Sequence, residues 1–257
     1  MQCEPVHAVI MAGGRGTRLA PYTAVLPKPL MPLNDRPILD VLVRQLLRDG
    51  VKGITISVSP LSGLIETWMR HHGRYGIPID FVYEDAPLGT AGALRNIRRP
   101  DSTFLALNGD VLTTLDVRDL IAHNRETGAI ATMAIKRRTV DVEYGLVHLH
   151  SDGRVDRLEE KPQLAFTVSM GVYAMAPSIV DLIGDGERID FPDLMVRAMN
   201  AGHTVDTLQY DGYWRDIGNP ADYEAAIVDF EANPDEFLGP RVAAGTGQAR
   251  SALRQDV

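Results

Sequence analysis

Three cations follow a glycine-rich turn near the start of the chain, a combination that suits phosphate binding. The stretch 11–32 reads MAGGRGTRLAPYTAVLPKPLMP and directly follows the apolar run HAVI at 7–10. Glycines let a backbone approach a ligand closely and point successive N–H groups at an anion. A tight turn does not require cations, whereas a triphosphate does. The residues that we expect around a nucleotide here are Ala12, Gly13, Gly14, Arg15, Gly16, Thr17, Arg18 and Lys28.

Two familiar phosphate-binding motifs are absent from this stretch. A P-loop requires G-x-x-x-x-G-K-[ST], which the stretch does not contain, and a dinucleotide fingerprint requires Gly or Ala where Leu19 stands. The sequence therefore favours neither a P-loop ATPase nor an NAD-dependent enzyme.

Short β-branched runs alternate with helical patterns in the first half of the chain, which predicts βαβ units on a mostly parallel sheet. The segment 36–50 repeats its apolar residues at helical intervals and ends at Gly50, a natural residue to follow a helix. Further helices are predicted over 62–76 and, more briefly, 89–97. The predicted strands are 7–11, 53–59, 79–84, 103–110, 129–136 and 168–175.

The alternation of predicted strands and helices ends after Asp110, and strand-like segments dominate from there on. The segment 144–161 predicts a hairpin that turns at Asp152-Gly153. We therefore expect an antiparallel extension of the sheet, closed by helices over 190–202 and 219–233. The predicted organisation is one domain over 1–235, with halves of about 1–110 and 111–235, followed by a disordered tail over 236–257.

Composition excludes several classes of protein. The 257 residues carry a net charge of −8, which gives no electrostatic footprint for a nucleic-acid backbone. No window approaches the roughly 18 to 20 continuous apolar residues of a membrane helix. Cys3 is the single cysteine and the start lacks a signal-peptide pattern. We therefore expect a soluble, cytoplasmic protein.

Six motifs in order carry a resemblance that covers about Val6 to Phe230. The chain is similar to the sugar-1-phosphate nucleotidyltransferases, also called nucleoside-diphosphate-sugar pyrophosphorylases. Within this family, its motifs most resemble those of short, mannose-1-phosphate guanylyltransferase-like members. The resemblance implies a Rossmann-like α/β sheet flanked by helices, with an antiparallel sugar-binding extension. The motifs are GGRGTRLAPYTAVLPKPL (13–30), PLGTAGAL (87–94), LNGDVL (107–112), YGLV (144–147), EEKP (159–162) and GYWRDIGNPADYEAA (212–226).

The implied activity is transfer of a nucleoside monophosphate from an NTP to a sugar 1-phosphate, releasing pyrophosphate. GTP is the expected nucleotide, with dTTP, UTP or CTP as alternatives. A sugar phosphate loses its second proton near pKa ~6, so the nucleophile needs no general base. Positioning and charge neutralisation should therefore lower the barrier. The competing interpretation is a non-catalytic regulatory subunit, which should lack charged residues that this chain retains, namely Arg18, Lys28, Asp110, Lys161 and Asp216.

The resemblance also assigns roles residue by residue. Asp110 and Asp216 would hold Mg²⁺, a hard cation that takes few protein ligands and shares the rest with phosphates and water. Arg18, Lys28 and Lys161 would neutralise phosphate charge. The nucleotide would further contact Gly89, Thr90, Asn108 and Gly109, and the sugar phosphate would contact Gly145, Glu160, Lys161, Ser169 and Gly171.

One residue departs from the pattern of the family. Many relatives carry Asn where this chain has Ser169. A hydroxyl is shorter than an amide and offers different donors and acceptors, which puts mannose in doubt as the sugar. At 257 residues, we expect this chain to lack the C-terminal β-helix of longer members. A homodimer is the first expectation for the assembly state, since twofold dimers are the commonest oligomers.

Overall fold

A seven-stranded sheet organises the computed structural model, which describes residues 5–14, 16–59 and 63–239. The strands among the described residues are β1 (His7–Met11), β2 (Pro32–Leu33), β3 (Arg36–Pro37), β4 (Gly53–Val58), β5 (Ile79–Tyr83), β6 (Phe104–Asn108), β7 (Val111–Thr113), β8 (Ala131–Asp141), β9 (Leu146–Leu149), β10 (Val155–Glu159), β11 (Gln163–Met175), β12 (Val205–Gln209) and β13 (Trp214–Asp216). The helices are α1 (Ile38–Arg48), α2 (Gly63–His72), α3 (Val117–Thr127), α4 (Phe191–Asn200), α5 (Pro220–Ala232) and α6 (Pro234–Leu238).

The sheet is mostly parallel and carries one antiparallel strand, as the sequence predicts. Its order is β12-β8-β11-β6-β1-β4-β5. β1 pairs in parallel with β4 and β6, whereas β11 runs antiparallel to both β6 and β8. The carboxyl ends of β1, β4, β5 and β6 therefore meet at one edge, where open α/β sheets bind ligands.

Both faces of the sheet are covered, which explains the continuous apolar runs of its strands. In β1, Ala8 and Ile10 belong to the core on one face, and Val9 belongs to the core on the other. A third cluster lies under α5 and α6 and includes Leu19, Ile217 and Phe237. The glycine-rich turn and the segment around Asp216 are thus anchored by buried neighbours on both sides.

Most of the predicted elements are confirmed, with shifts of a few residues at their ends. α1 ends before Gly50, which adopts a φ of +90°, as expected for a residue that closes a helix. The short helix predicted over 89–97 is wrong: only Gly92–Arg95 is helical, as a 3₁₀ turn. The segment over α3 was not predicted as a helix, although Asp116 caps its start and Gly128 closes it with a φ of +63°.

The boundary of the predicted tail is also corrected. Residues 236–238 belong to α6, and Phe237 is buried against Tyr213 and Phe230. The ordered domain thus extends past position 235. The rest of the predicted tail, 240–257, lies outside the described residues.

An arm of antiparallel strands leaves the sheet on one side. The far half of β8 pairs with the first half of β11 as an exposed ribbon, and β9 and β10 form a separate two-stranded hairpin between them. The hairpin confirms the predicted turn at Asp152-Gly153, since the Gly153 N–H donates to the His150 carbonyl. In the part of the chain that the structure describes, none of the helices has the length and apolar character needed to cross a bilayer.

Candidate functional site

Two adjoining cavities open at the carboxyl edge of the sheet. The larger, of about 540 Å³, is lined by Met11, Gly13, Gly14, Arg18, Ser59, Glu84, Asp85, Ala86, Pro87, Gly89, Thr90, Asn108, Asp110, Arg188 and Asp216. The smaller, of about 250 Å³, is lined by Met11, Ala12, Gly14, Gly16, Thr17, Arg18, Lys28, Pro29, Gly109, Asp110 and Gly218. Arg18 and Asp110 line both. The structure therefore brings together nearly all of the residues that the sequence assigns to the nucleotide.

The glycine-rich turn is held against the sheet by backbone contacts. The Ala12 N–H donates to the Ser57 carbonyl at 2.8 Å, which continues the pairing of β1 with β4. Gly16 has a φ of +61°, a conformation that favours glycine. A Cβ at Gly13 would lie 2.5 Å from Glu84 Oε1, so any side chain there would force the Glu84 carboxylate to move. Arg15 lies outside the described residues.

Glu84 is a buried carboxylate that the sequence analysis did not single out. It is 6 % exposed and accepts hydrogen bonds from Ser57 Oγ at 2.7 Å and from the Leu88 N–H at 3.1 Å. One carboxylate thus joins the end of β4, the Gly13 turn and the loop before Gly89. Its position directly after an apolar strand was the signal available in the sequence.

Gly89 and Thr90 line the larger cavity and also connect to the start of α4. The Thr90 N–H donates to Asp190 Oδ1 at 2.7 Å, and the Phe191 N–H donates to Thr90 Oγ1 at 2.9 Å. Gly89 has a φ of +79°, and a Cβ there would lie 2.5 Å from the Ile189 carbonyl oxygen. The loop is consequently fixed from behind, with its other side facing the cavity.

Lys28 and Asp110 form an ion pair at the boundary between the two cavities. Lys28 Nζ donates a hydrogen bond to Asp110 Oδ2, and the lysine is 8 % exposed. The two residues are 82 positions apart in sequence, so the pairing depends on the fold. Lys28 begins a 3₁₀ turn between Pro27 and Pro29, and the backbone of Lys28 is restricted because it precedes Pro29.

Asp216 lies beside Asp110 because β13 pairs with β7. Asp216 is in register with Val111, and the Ile217 N–H donates to the Asp110 carbonyl at 3.1 Å. Burial and then the charge of Asp110 raise the pKa of the Asp216 carboxyl, while Lys28 and Arg18 act in the opposite direction. A Cβ at Gly218 would lie 3.5 Å from Asp216 Oδ2 and 3.7 Å from Arg18 Nη1.

The two aspartates fit a divalent cation. Their mutual repulsion, which contributes to the raised pKa of Asp216, is what a bound cation would relieve. Carboxylate oxygens are the ligands that Mg²⁺ prefers. Across the described ranges, His, Cys, Asp and Glu side chains form no group of three or more that could hold a metal. A cation here would complete its coordination with phosphate oxygens and water.

Asn108 is held directly beneath the strand that carries Gly171. A Cβ at Gly171 would lie 2.6 Å from Asn108 Nδ2, and Gly171 has a φ of +70°. Asn108 Oδ1 is buried and has no hydrogen-bond partner among the described residues, although the residue lines the larger cavity. An unsatisfied buried acceptor costs about 1–3 kcal/mol, which a ligand donor can recover. Gly109 packs closely against Met11, since a Cβ at Gly109 would lie 2.9 Å from the Met11 carbonyl oxygen.

The residues assigned to the sugar phosphate fall in two places: Gly145, Glu160 and Lys161 lie on the arm, whereas Ser169 and Gly171 lie in β11, where Gly171 packs against Asn108. A Cβ at Gly145 would lie 3.0 Å from Glu160 Oε2, so these two residues are neighbours. Lys161 is exposed and has a φ of +44°, uncommon for a residue with a side chain. Ser169 Oγ is 2.9 Å from the Tyr173 hydroxyl. Neither cavity is lined by Gly145, Glu160, Lys161, Ser169 or Gly171.

Asp85 and Arg188 are two further charged residues of the larger cavity that sequence reasoning missed. Both are exposed, and neither has a hydrogen-bond or ion-pair partner among the described residues. Asp85 follows Glu84, whose carboxylate already accepts hydrogen bonds, and Arg188 lies just before α4. Arg188 belongs to no motif and is distant in sequence from the other residues of the cavity, so no sequence signal predicted its position there.

Known proteins resemble this chain over most of its length. A family profile described as "Nucleotidyl transferase" matches residues 7–233. A UTP–glucose-1-phosphate uridylyltransferase of Synechocystis sp. is 34% identical in an alignment of 244 positions that covers 86% of this chain and 62% of that protein. A mannose-1-phosphate guanyltransferase of Yarrowia lipolytica is 34% identical in an alignment of 230 positions that covers 85% of this chain and 62% of that protein. The chain thus spans about 62% of the length of these curated relatives.

Solved structures give the same result for the fold. HddC from Yersinia pseudotuberculosis superposes with a TM-score of 0.67 and 27% identity, over 88% of this chain and 99% of that one, and it has also been solved in complex with GMP-PN. A putative glucose-1-phosphate thymidylyltransferase from Bacillus anthracis reaches a TM-score of 0.69 at 19% identity, over 87% of this chain and 94% of that one, and so supports the fold alone.

Proposed function

The chain belongs to the nucleotidyl transferase family, and from this membership we propose that it transfers a nucleoside monophosphate from an NTP to a sugar 1-phosphate. A phosphate oxygen of the sugar attacks the α-phosphorus and forms a new P–O bond. The bond from the α-phosphorus to the bridging oxygen breaks, and pyrophosphate leaves with that electron pair. The observation that carries the proposal is the meeting of Arg18, Lys28, Asp110 and Asp216 where the two cavities join.

The shapes of the two cavities suggest how the nucleotide lies. The smaller cavity is lined by the glycine-rich turn, Thr17 and Lys28, which suits the β- and γ-phosphates. The larger cavity continues past Gly13 and Asn108 to Gly89, with room for a ribose and a base. The α-phosphorus would then lie near Asp110, which lines both cavities.

Asp110 and Asp216 would hold Mg²⁺, which, when bound, neutralises phosphate charge and draws the phosphate oxygens together. Lys28 changes partners in this proposal, from Asp110 to a phosphate oxygen. Arg18, beside Asp216, places a second positive charge at the same point. Catalysis then depends on orientation and fixed charges, and no side chain needs to remove a proton.

We propose GTP as the nucleotide, with UTP as the main alternative because one of the similar relatives is named for UTP. Guanine presents two adjacent N–H donors on its pairing edge, which a carboxylate can accept together. Uracil and thymine present one N–H between two carbonyl oxygens, which a carboxylate repels. Asp85 provides such a carboxylate in the larger cavity, without a partner among the described residues.

The sugar 1-phosphate is proposed to contact the arm through Gly145, Glu160 and Lys161, and β11 through Ser169 and Gly171. Gly145 lets a sugar approach the backbone beside Glu160, which can accept hydrogen bonds from hydroxyls. Lys161 would bind the phosphate. We propose a cytoplasmic location for the protein, because its single cysteine, Cys3, suits a reducing compartment.

The test is pyrophosphate release with each common NTP crossed against a panel of hexose and heptose 1-phosphates, with and without Mg²⁺. We expect one pair to exceed the others clearly and to require the cation. The matched control is Asp110→Asn, which keeps the size of the side chain and should lose turnover while the circular dichroism spectrum is unchanged. Wild-type turnover in Asp110→Asn, or no turnover of the folded protein with any pair, would contradict the proposal.

A further inference from the structure

Arg188 lines the larger cavity and has no partner within the described part of the chain. The acidic residues of its own segment are bound to other arginines. Asp185 accepts a hydrogen bond from Arg95 Nε at 2.7 Å. Glu187 accepts one from Arg197 Nη1, also at 2.7 Å. The guanidinium of Arg188 is therefore left for a ligand.

The backbone beside Arg188 is fixed to the loop that carries Gly89. The Ile189 N–H donates to the Leu88 carbonyl at 3.0 Å, and the Ala91 N–H donates to the Ile189 carbonyl at 3.0 Å. Ile189 is buried, so water does not compete for these hydrogen bonds. Arg188 is thus held at the end of the cavity where the proposed nucleotide has its base.

Asp85 provides a free charge of opposite sign at the same end of the cavity. Glu84 also lines this end, but its carboxylate already accepts hydrogen bonds from Ser57 Oγ and from the Leu88 N–H. Asp85 and Arg188 have no ion pair with each other or with another described residue. A free carboxylate and a free guanidinium together suit a ligand that presents donors to one and acceptors to the other.

Guanine is the common base that matches both charges. Its N1–H and N2–H donors are adjacent on one edge, and its O6 and N7 acceptors are adjacent on the next. A guanidinium that donates to O6 and N7 is the commonest specific contact with guanine in DNA complexes. Adenine carries an amino donor beside N7, which a guanidinium repels, and the pyrimidines lack N7 altogether.

We propose that Arg188 is a specificity-determining residue that donates hydrogen bonds to O6 and N7 of guanine, while Asp85 accepts from N1–H and N2–H. The inference rests on the proposed function, because it takes the larger cavity as the nucleotide site. It adds a contact that is separate from that of Asp85. The planar fork of an arginine supplies two parallel donors for such a contact.

Nucleotide analogues that lack one atom test the two contacts separately. In 7-deaza-GTP a C–H group replaces N7, and ITP lacks the 2-amino group. Calorimetric titration of the full chain with each nucleotide and Mg²⁺, without any sugar, measures binding alone. We expect the wild type to bind 7-deaza-GTP about tenfold or more weakly than GTP, because a donor of Arg188 then faces a C–H group.

Arg188→Met should bind GTP about 10–100-fold more weakly than the wild type does. It should also bind 7-deaza-GTP and GTP equally, because the group that contacts N7 has been removed. The preference for GTP over ITP should be the same in both proteins, since that preference depends on Asp85. A merely structural role of Arg188 would weaken all three nucleotides by one factor and keep the preference for GTP over 7-deaza-GTP.

Arg74→Met is the matched control, because it removes an exposed arginine outside both cavities. It should bind all three nucleotides as the wild type does, and circular dichroism checks that each variant is folded. A wild type that binds 7-deaza-GTP as tightly as GTP, or UTP more tightly than GTP, would overturn the inference. So would an Arg188→Met protein that still prefers GTP to 7-deaza-GTP.

Pyrophosphate release, measured in parallel, separates this inference from the proposed function. The expected binding pattern without turnover on any sugar 1-phosphate would support the guanine contact and contradict the proposed reaction. Turnover without the expected pattern would support the reaction and overturn the role of Arg188.

Discussion

Lys28 donates a hydrogen bond to Asp110 across 82 positions of sequence, and it is the most buried cation of the candidate site. The lysine is expected to hold the aspartate in place before a nucleotide binds and to neutralise phosphate charge afterwards. Both tasks need a compact charge at a fixed point. A guanidinium is larger and planar, so arginine does not replace it.

Lys28→Met should therefore lower kcat by about 10²–10³-fold, the usual effect of removing one donor that stabilises developing charge. Lys28→Arg should not restore activity. Steady-state pyrophosphate release measures both, and Lys52→Met, which removes an exposed lysine before β4, serves as the control. A Lys28→Met enzyme with wild-type kcat/KM would remove Lys28 from the mechanism.

Asp216→Asn should stabilise the protein while abolishing turnover. Burial and the nearby Asp110 raise the pKa of Asp216, so its charged form is less favourable in the fold than in the unfolded chain at neutral pH. A neutral amide removes that cost, and the Tm without divalent cations should rise slightly, because Asp216 is exposed and solvent screens the repulsion.

Added Mg²⁺ should reverse the order of stability. A cation that binds only the folded state raises its Tm, and the wild type retains both carboxylates for it. We expect Mg²⁺ to raise the Tm of the wild type and to leave that of Asp216→Asn unchanged. An equal shift in both proteins would place the cation elsewhere.

The two glycines of the turn should differ sharply in their tolerance of a methyl group. A Cβ at Gly13 would lie 2.5 Å from Glu84 Oε1, whereas one at Gly14 meets nothing within 4 Å. Gly13→Ala should lower the free energy of unfolding by about 1–3 kcal/mol, because the buried carboxylate must move. Gly14→Ala is the matched control, with a change within about ±0.5 kcal/mol.

Urea denaturation measures these differences, and a double-mutant cycle with Glu84→Ala identifies their cause. If the clash with Glu84 is responsible, Gly13→Ala should cost much less in the Glu84→Ala background than in the wild type. Equal costs in both backgrounds would show that the methyl group acts on the backbone instead.

The residues that could be placed from the sequence are those marked by local signals. β1 and α1 follow from apolar periodicity, and Asp110 from its place after a strand. Arg188 and the pairing of Lys28 with Asp110 depend on contacts between distant segments, which no local pattern encodes. The missed α3 has a weakly apolar face and many charged residues, so the helical period is faint there. The 3₁₀ turn at Gly92–Arg95 differs from the predicted helix because the segment is held by backbone bonds to Ile189.

Acid should destabilise the fold through His7. Burial lowers the pKa of His7, with Asp80 opposing, and His7 Nε2 lies 2.8 Å from Thr55 Oγ1. The folded pKa lies below the unfolded value near 6.5, so the unfolded state binds more protons below that pH. Stability should be fully present above pH ~6.5 and should fall as the pH drops through the folded pKa, by at most about 1.4 kcal/mol per pH unit.

His7→Gln should flatten this slope between about pH 6.5 and 5, since glutamine does not titrate. Urea denaturation across that range measures it, and exposed His203→Gln is the control. An unchanged slope in His7→Gln would assign the acid sensitivity to another group.

Asp85→Asn tests the proposal that the Asp85 carboxylate recognises guanine. Its carboxylate has no partner among the described residues and lines the larger cavity, where it could accept both N–H donors of guanine. Asparagine offers one acceptor and one donor group, so one of the two hydrogen bonds is lost and the charge with it. A charge-assisted hydrogen bond contributes about 1.5–3 kcal/mol, so kcat/KM for GTP should fall by about 10–100-fold.

The discriminating quantity is the ratio of kcat/KM for GTP to that for UTP. It should fall in Asp85→Asn, because the variant loses a contact with guanine and also a repulsion toward the carbonyl oxygens of uracil. Asp101→Asn, which changes an exposed aspartate outside both cavities, should leave the ratio unchanged. A ratio equal to that of the wild type in Asp85→Asn would mean that the base is read by other groups, with the backbone around Gly89 as the next to test.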